Sequence, residues 1–350
     1  MVAVTIAGTG TGTGTGSAVP DHIVTTETIG SLVERHVPGK GAEWAERKLG
    51  IKARRFMAPL DPTTGFPIGE CNELALAQDA ALKAMKAAKL NAHEIGGLWY
   101  VSCTQPDSRR HFSRSVLDLH HRLGLRSEAI ALEMDAGCGG AVHALSAARG
   151  LLIGGMADNA LIVAVNGTSQ HFGYWETYAR SGAWLSLYIF GDGAGAAILQ
   201  RQKSHAPERG ILASYAAVDP TIPLMDYIRP YNDAGEVYRI DGRGVALSFR
   251  RYARAGLEGL REKYPFRFHE VRRFYFHQVN ANVLRNFVEE MEIPQERVSL
   301  HVERYGNLAA ASTLVLLDED IRAGIVGPGD LCVVCAVGAG AQYGAMLVRL

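Results

Sequence analysis

Cys138 has the surroundings in this chain that most suggest chemistry. It lies in the small-residue run Asp135–Gly140, between a predicted strand and a predicted helix. Small neighbours leave a side chain accessible at such a sharp turn, and the N-terminus of the following helix favours a thiolate through its dipole. The turn therefore predicts a nucleophilic cysteine, and the alternative is an inert buried thiol.

Two polar residues in the second half of the chain could complete such a site. His277 follows the predicted strand 274–276 and opens a loop, and the carboxyl end of a strand is where α/β proteins form their sites. Asn307 follows Gly306, which is also ordinary turn chemistry. Taken one at a time, both are typical of structural residues. A Cys turn, a His loop and a Gly-Asn turn in one chain favour a catalytic site built from all three.

The composition limits the partners. The 350 residues hold 36 Lys plus Arg and 36 Asp plus Glu, so the formal net charge is zero. Proteins that bind nucleic acid or anionic membranes normally carry a basic excess, so we expect neither as a partner. Five cysteines, no signal-peptide pattern and no apolar run of about 18 residues predict a reduced, soluble, cytoplasmic protein. Cys332 and Cys335 would point to opposite faces of a strand, so we predict no metal site there.

Strand and helix patterns alternate along the chain, which indicates a layered α/β fold. Apolar runs at 97–101, 160–165 and 330–337 lack polar alternation, so they predict strands covered on both faces. Helical periodicity is clearest at 73–90 and 284–291.

The same pattern occurs twice. In the first copy a predicted strand, 127–132, precedes the Cys138 turn, and an Ala-rich helix and an apolar strand follow. In the second copy a predicted strand, 295–300, precedes the Asn307 turn, and again an Ala-rich helix and an apolar strand follow. Cys138 and Asn307 are therefore predicted to occupy equivalent turns that face each other across a pseudo-twofold axis.

This repeat divides the chain into two similar halves. Each copy ends in a glycine turn, at 191–195 and at 338–340, followed by an apolar strand. We predict one half over 1–200, which carries the nucleophilic cysteine, and another over 201–350, which carries the histidine and the asparagine.

Several separated segments resemble one known family. They are, in chain order, Glu43-Trp44 with 49–55, 105–107 with Phe112, Asp135–Gly140, 190–196, 277–280, 303–307 with 309–312, and 338–344. Together they are similar to β-ketoacyl-acyl-carrier-protein synthase III and its relatives in the thiolase superfamily. The resemblance implies a thiolase-like layered α-β-α-β-α fold made of two pseudo-twofold related halves.

The resemblance also implies the site and the partners. The family's Cys-His-Asn triad corresponds to Cys138, His277 and Asn307, and its oxyanion hole corresponds to the backbone N–H groups of Cys138 and Gly340. Its substrate contacts correspond to Trp44, Lys48 and Phe112. The implied partners are acyl-CoA or acyl carrier protein thioesters, with no further cofactor and no metal. The resemblance of the loop 105–112 also implies a homodimer in which Phe112 lines the neighbouring acyl tunnel. We predict that residues 160–165 in the strand-rich first half pair across its twofold axis.

The chain departs from the family at several positions. Gly137 replaces a usual alanine, Asn282 stands where a basic residue is usual, and 245–247 lacks the usual lysine. No arginine for the CoA nucleotide is evident near Ser169, and the segment 170–184 is rich in aromatic residues. These differences predict a specialised role in polyketide or other secondary-metabolite biosynthesis rather than fatty-acid initiation.

We therefore predict a condensing enzyme. Cys138 takes an acyl group from a thioester, and His277 and Asn307 donate hydrogen bonds to a malonyl-type thioester as it decarboxylates. The carbanion then attacks the acyl group and forms a carbon–carbon bond. The alternative is an acyltransferase to an oxygen or nitrogen acceptor, and some relatives of that kind carry Asp at the position of Asn307. A third hypothesis, a non-catalytic partner subunit of a heteromeric synthase, conflicts with the intact triad.

Overall fold

The computed structural model describes residues 2–7, 14–104, 111–172, 183–202, 209–220, 228–231 and 237–350. The motif 105–107 and residues 173–182 of the aromatic segment lie outside the described residues. The strands are β1 (Ala3–Ile6), β2 (Thr15–Ala18), β3 (His22–Thr25), β4 (Ala53–Phe56), β5 (Gly97–Val101), β6 (Ile130–Met134), β7 (Asn159–Asn166), β8 (Gly193–Gln202), β9 (Gly210–Val218), β10 (Ile228–Tyr231), β11 (Val237–Ile240), β12 (Arg273–Phe276), β13 (Leu331–Val337) and β14 (Gln342–Arg349).

The helices alternate with these strands. They are α1 (Thr26–His36), α2 (Ala42–Leu49), α3 (Glu73–Ala88), α4 (Arg114–Leu123), α5 (Gly140–Ile153), α6 (Trp184–Ile189), α7 (Gly242–Lys263), α8 (Ala281–Glu290), α9 (Val302–Tyr305) and α10 (Ser312–Arg322). No helix within these described ranges is long and apolar enough to cross a membrane.

Two sheets form the frame. The first has the order β1-β8-β7-β5-β6, with β2 also paired to β8, and it uses residues 3–202. The second has the order β12-β13-β14-β9 and uses residues 210–349. The predicted division at residue 200 stays a prediction, and the two sheets draw their strands from either side of it.

The molecule has five layers. Central helices α5 and α10 pack between the two sheets, in a core that joins Leu145 and Leu314 to residues of both sheets. Helices α3 and α4 cover the outer face of the first sheet, and α7 and α8 cover the outer face of the second. Because helices cover both faces, β5, β7 and β13 are buried along their whole length, as the unbroken apolar runs predicted. The predicted layered α/β fold is confirmed.

One strand prediction is wrong. Residues Gln295–Arg297 form a short 3-10 helix after Pro294, and the N–H of Val298 closes it on the Gln295 carbonyl at 3.1 Å. Only a single bridge to β12 follows, between Phe274 and Val298. Because the chain turns immediately after the proline, it cannot extend along β12 over the predicted range 295–300. The first copy of the repeat has a true strand here, although it begins at Ile130 rather than at residue 127.

The predicted role of residues 160–165 in a dimer interface is also wrong. This segment is the centre of β7, which already pairs with β5 on one side and with β8 on the other. A strand with both edges occupied has no free N–H and C=O groups for a second copy. Within the described part of the chain, β6 pairs only with β5, and Leu132 on β6 is 45% exposed.

Candidate active site

Cys138 lies in a glycine-rich turn that connects edge strand β6 to central helix α5. Residues Gly137–Gly139 form one turn of 3-10 helix, and α5 begins at Gly140. Gly137 has φ of +51°, which favours glycine, and a Cβ there would lie 2.9 Å from the backbone N of Ala339. The turn therefore packs directly on the loop 338–342, and a glycine in place of the family's usual alanine suits this conformation.

The Cys138 side chain is buried and free of disulfide. Burial raises the pKa of Cys138 to about 12, and the negative charge of Asp135 raises it as well. Burial therefore opposes the thiolate that the helix N-terminus is predicted to favour. Cys138 rests as a neutral thiol, and its proton must leave as it attacks a substrate.

His277 directly follows β12, which pairs with β13 in the second sheet. Its backbone N–H donates to the Cys335 carbonyl at 2.9 Å, which continues the parallel pairing of the two strands. The ring is buried and packs almost perpendicular to the ring of Phe249, with 6.3 Å between the two centroids. Burial lowers the pKa of His277 to about 3, so the ring is neutral at physiological pH.

Asn307 is fixed beside His277 by hydrogen bonds on both its backbone and its side chain. Its N–H donates to the Ile189 carbonyl at 2.8 Å, and its carbonyl accepts the N–H of Gly191 at 3.1 Å. The side-chain Oδ1 accepts the N–H of Ala309 at 2.8 Å and lies 3.2 Å from Nε2 of His277. Because a backbone donor holds Oδ1, the amide orientation is determined and the Nδ2 hydrogens remain for a substrate.

The imidazole of His277 lies between two acceptors. Nδ1 is 3.3 Å from the Val337 carbonyl, and Nε2 is 3.2 Å from Oδ1 of Asn307. A neutral ring carries one proton and can serve only one of them. When the proton is on Nε2, Nδ1 faces the Val337 carbonyl without a hydrogen bond. A bound substrate oxygen can then replace Oδ1 of Asn307 as the acceptor of the Nε2 proton at little cost.

A glutamine and a glycine turn support the two donors. The amide N–H bonds of Gln278 donate to the Phe276 and Ser299 carbonyls, at 2.9 and 3.3 Å, and its Oε1 accepts the N–H of His301 at 3.1 Å. This ties the His277 loop to the segment that leads to Asn307. A Cβ at Gly191 would lie 1.9 Å from the Tyr305 carbonyl, so the turn needs glycine to approach Asn307.

Asp192, in the same glycine turn, has no catalytic contact. It accepts the N–H groups of Met57 and Ser169, at 2.8 and 2.9 Å, and the Ser169 hydroxyl. Burial raises the pKa of Asp192 to about 7. The sequence marked this Gly-Asp-Gly run as a motif but did not show that its carboxylate ties three loops together.

Gly340 lies in the loop that packs on the Cys138 turn. The loop closes through the Ala341 N–H on the Gly338 carbonyl at 3.1 Å, and Gly338 N–H donates to the Gln342 carbonyl at 2.7 Å. Within the part of the chain that the structure describes, the Gly340 N–H has no backbone acceptor. The oxyanion-hole role of Gly340 stays a prediction.

The predicted substrate contacts lie at two different places. Trp44 and Lys48 are on α2, which adjoins the start of α8 just after His277, where Asn282 donates to the Arg47 carbonyl at 3.0 Å. Lys48 is exposed. Phe112 is 94% exposed, with φ of +58°, and among the described residues it makes no contact with Cys138, His277 or Asn307.

Trp44 already has partners within the chain, which the sequence did not predict. Its ring meets Trp184 edge to face at 5.1 Å, and the Lys40 ammonium lies 4.6 Å from its centroid. Trp184 is far from Trp44 in the sequence, and the Lys40 contact depends on how α2 is oriented relative to the residues before it. Residue spacing alone therefore did not indicate either contact.

Comparison with known proteins agrees with this geometry. Two family models match, "3-Oxoacyl-[acyl-carrier-protein (ACP)] synthase III" over residues 132–220 and its C-terminal counterpart over residues 262–350. A β-ketoacyl-[acyl-carrier-protein] synthase III of Alkalilimnicola ehrlichii is 30% identical, over 95% of this chain and 97% of that protein.

Solved structures extend the likeness to the fold. The 3-oxoacyl-[acyl-carrier-protein] synthase III of Aquifex aeolicus is 26% identical with a TM-score of 0.79, covering 96% of this chain and 98% of that one. OleA of Xanthomonas campestris is 18% identical with a TM-score of 0.83, covering 99% of each chain, and shares the fold. The chain therefore belongs to the 3-oxoacyl-[acyl-carrier-protein] synthase III family, as a thiolase-fold condensing enzyme of the acyltransferase class.

Proposed function

We propose that this protein catalyses decarboxylative Claisen condensation, with Cys138 as the acylated nucleophile and with His277 and Asn307 as hydrogen-bond donors to the second substrate. The observation that carries the proposal is the neutral His277–Asn307 pair, 3.2 Å from Nε2 to Oδ1, in which the Ala309 N–H fixes the Asn307 amide. Neutral donors suit an enolate, because a carboxylate at the same place would repel the developing negative charge.

In the first half-reaction the Cys138 sulfur attacks the carbonyl carbon of an acyl thioester. The backbone N–H groups of Cys138 and Gly340 stabilise the tetrahedral oxyanion. The carbon–sulfur bond to the donor breaks, and the departing thiolate takes up one proton in place of the one that Cys138 loses. The raised pKa of Cys138 makes this proton transfer part of the attack.

In the second half-reaction a malonyl-type thioester binds with its carbonyl oxygen at Nε2 of His277 and Nδ2 of Asn307. Carbon dioxide leaves, and the electron pair of the broken bond forms an enolate on that oxygen. The enolate carbon attacks the acyl carbon on Cys138, a carbon–carbon bond forms, and the Cys138 thiolate departs and takes a proton from solvent. No metal or redox cofactor enters this scheme.

We further propose that the acyl groups arrive as thioesters of CoA or acyl carrier protein, past Trp44 and Lys48 on α2. The exposed Leu247 and the Asn282 amide, where the family is basic, support a donor or carrier other than the one used in fatty-acid initiation. This in turn supports a role in polyketide or other secondary-metabolite biosynthesis. Five unpaired cysteines support a cytoplasmic location.

We propose a homodimer that pairs through β6 rather than through residues 160–165. Among the described strands none pairs with the outer edge of β6, and Leu132 on that strand is exposed, as is Phe112 just before α4, which packs against β6; these observations support this interface. An exposed phenylalanine held at positive φ is costly unless a partner covers it, so Phe112 lining the neighbouring acyl tunnel is a coherent use of the residue.

The test has two parts. Intact-mass spectrometry after incubation with a panel of acyl-CoA and acyl-carrier-protein thioesters identifies the group on Cys138, and Cys138→Ala serves as the control that takes up none. Release of labelled carbon dioxide from a carboxyl-labelled malonyl thioester then separates condensation from simple transfer. Acyl-enzyme without carbon dioxide release, but with transfer to an added alcohol or amine, would replace the proposal with the acyltransferase alternative.

A further inference from the structure

Asp135 lies three residues before Cys138, and the mechanism above gives it no part. It directly follows edge strand β6, and its Oδ1 accepts the N–H of Gly137 at 3.0 Å. This hydrogen bond closes the turn in which Gly137 adopts positive φ and packs on the loop 338–342. Asp135 is exposed, and among the described residues no Lys or Arg forms an ion pair with it, so solvent alone screens its charge.

The surroundings of the Cys138 turn hold little other charge. The loop 338–342 and the turn Ala309–Ala311, which pack against it, contain no titratable side chain. The titratable groups on the adjoining elements are Glu133 on β6, which accepts the N–H of Val116 at 3.4 Å, Cys332 and Cys335 on β13, His143 on α5, Tyr343 on β14 and His277 after β12. Burial lowers the pKa of both histidines and raises the pKa of the tyrosine, so all three are neutral near pH 7.

We propose that Asp135 is a positioning and selectivity residue of the nucleophile: its Oδ1 holds the Cys138 turn in shape, and its negative charge disfavours any second negative charge at the Cys138 sulfur. Two consequences follow. The charge keeps Cys138 a thiol until a thioester arrives, in agreement with the direction of its pKa. It also disfavours acyl groups that carry a carboxylate, so a neutral acyl chain occupies Cys138 and the malonyl-type substrate is left for the second step.

This inference rests on the proposed role of Cys138 as nucleophile, but its test does not need a turnover assay. The two probes are iodoacetamide, which is neutral, and iodoacetate, which is anionic. In both cases the Cys138 thiolate displaces iodide and forms a carbon–sulfur bond. Peptide mass spectrometry gives the second-order rate constant at Cys138 alone, apart from Cys71 and Cys103.

Two variants separate charge from geometry. Asp135→Asn keeps an oxygen acceptor for the Gly137 N–H but loses the charge, whereas Asp135→Ala loses both. Asp158→Asn, at an exposed carboxylate elsewhere on the surface, is the matched control for the same chemical change. The ratio of the iodoacetamide rate constant to the iodoacetate rate constant cancels the thiolate fraction, so it reports the charge near the sulfur directly.

We expect Asp135→Asn and Asp135→Ala to lower this ratio by about threefold, the size of an interaction between unit charges several ångströms apart in water. The iodoacetamide rate constant of Asp135→Asn at pH 8 should rise, since a lower thiol pKa increases the thiolate fraction by more than it lowers the nucleophilicity. High salt should lower the ratio in the wild type and leave it unchanged in Asp135→Asn.

The positioning role of Asp135 is tested separately, by measuring the rate at which an acyl thioester acylates Cys138. Asp135→Ala should be slower than Asp135→Asn by about tenfold, because only the alanine variant loses the turn hydrogen bond. An unchanged alkylation ratio in Asp135→Asn would overturn the charge role, and equal acylation rates in the two variants would overturn the positioning role. A wild-type protein that takes up no acyl group on Cys138 would instead defeat the proposed function, whatever the alkylation ratio.

Discussion

Two 3-10 turns meet at the site and present different chemistry. Gly137–Gly139 precedes α5 and presents a thiol with backbone N–H groups, next to the carboxylate of Asp135. Ala309–Ala311 precedes α10 and follows Asn307, whose amide is locked by the Ala309 N–H. The two turns pack against each other, and both lead into central helices.

The contrast shows how a repeated fold can divide one reaction. The first turn needs backbone precision, because the nucleophile and the oxyanion donors are parts of the same short loop. The second needs orientation of neutral side chains, and the N–H groups of Ala309 and Gly191 supply it through hydrogen bonds to Asn307, which lies beside His277. Charge is found at the first turn and is absent from the His277–Asn307 pair, which fits attack by sulfur at one and enolate stabilisation at the other.

The largest expected effect is at the side-chain donors. His277→Ala should lower carbon dioxide release by about a hundredfold or more, the usual cost of losing one donor to an oxyanion. Acylation of Cys138 should stay within about threefold of the wild type, since its oxyanion lies at the backbone donors. Rapid-quench measurement of both steps checks this, with His277→Gln expected to recover part of the loss through its amide N–H. Equal losses in the two steps would erase the contrast between the turns.

A smaller effect is expected at the backbone of the first turn. Gly137→Ala forces a Cβ to within 2.9 Å of the Ala339 nitrogen at positive φ, so stability should fall by about 1–3 kcal/mol. The shift of the turn should slow acylation by about tenfold. Gly124→Ala is the matched control, because Gly124 has φ of +65° but open space around its Cβ position. If the control slows acylation as much as Gly137→Ala does, close packing on the loop 338–342 is not what positions the thiol.

The smallest expected effect is on acid stability. Burial lowers the pKa of His277 and of His301 to about 3. Since the unfolded chain binds these protons near pH 6.5, the neutral rings favour folding above that pH, and the benefit is lost as pH falls toward 3. His301→Asn should reduce the loss of stability by up to about 1.4 kcal/mol per pH unit in this window.

Urea unfolding at pH 7 and at pH 4.5 measures this difference, and the constant cost of the smaller side chain cancels between the two conditions. His93→Asn, at an exposed position, is the control. If acidification lowers the stability of His301→Asn as steeply as that of the wild type, the pKa of His301 does not differ between the folded and unfolded states.

The sequence could predict the local features of the site well. The small residues around Cys138, the strand before His277 and the Gly-Asn turn are each recorded in a few consecutive residues, and the structure places His277 and Asn307 in contact. Buried strands such as β5, β7 and β13 were also predictable, because cover on both faces leaves an unbroken apolar run.

Features that depend on distant partners could not be predicted in the same way. Residues 160–165 read as a strand, but periodicity does not show whether both edges of that strand are occupied. Residues 295–300 are predicted as a strand from the internal repeat, yet the chain turns after Pro294 and does not pair with β12 over that range. The thiol pKa of Cys138 depends on how deeply the turn is buried, which helix position alone does not give.

The most direct test of the division between the two turns compares Asn307→Asp with Asn307→Ala in a single turnover. Acylation of Cys138 and release of labelled carbon dioxide are followed in the same samples. We predict acylation within about threefold of the wild type in both variants. Carbon dioxide release should fall about a hundredfold in Asn307→Ala, and further in Asn307→Asp because its carboxylate repels the enolate. Equal losses in acylation and carbon dioxide release, or unchanged carbon dioxide release in Asn307→Asp, would contradict the account.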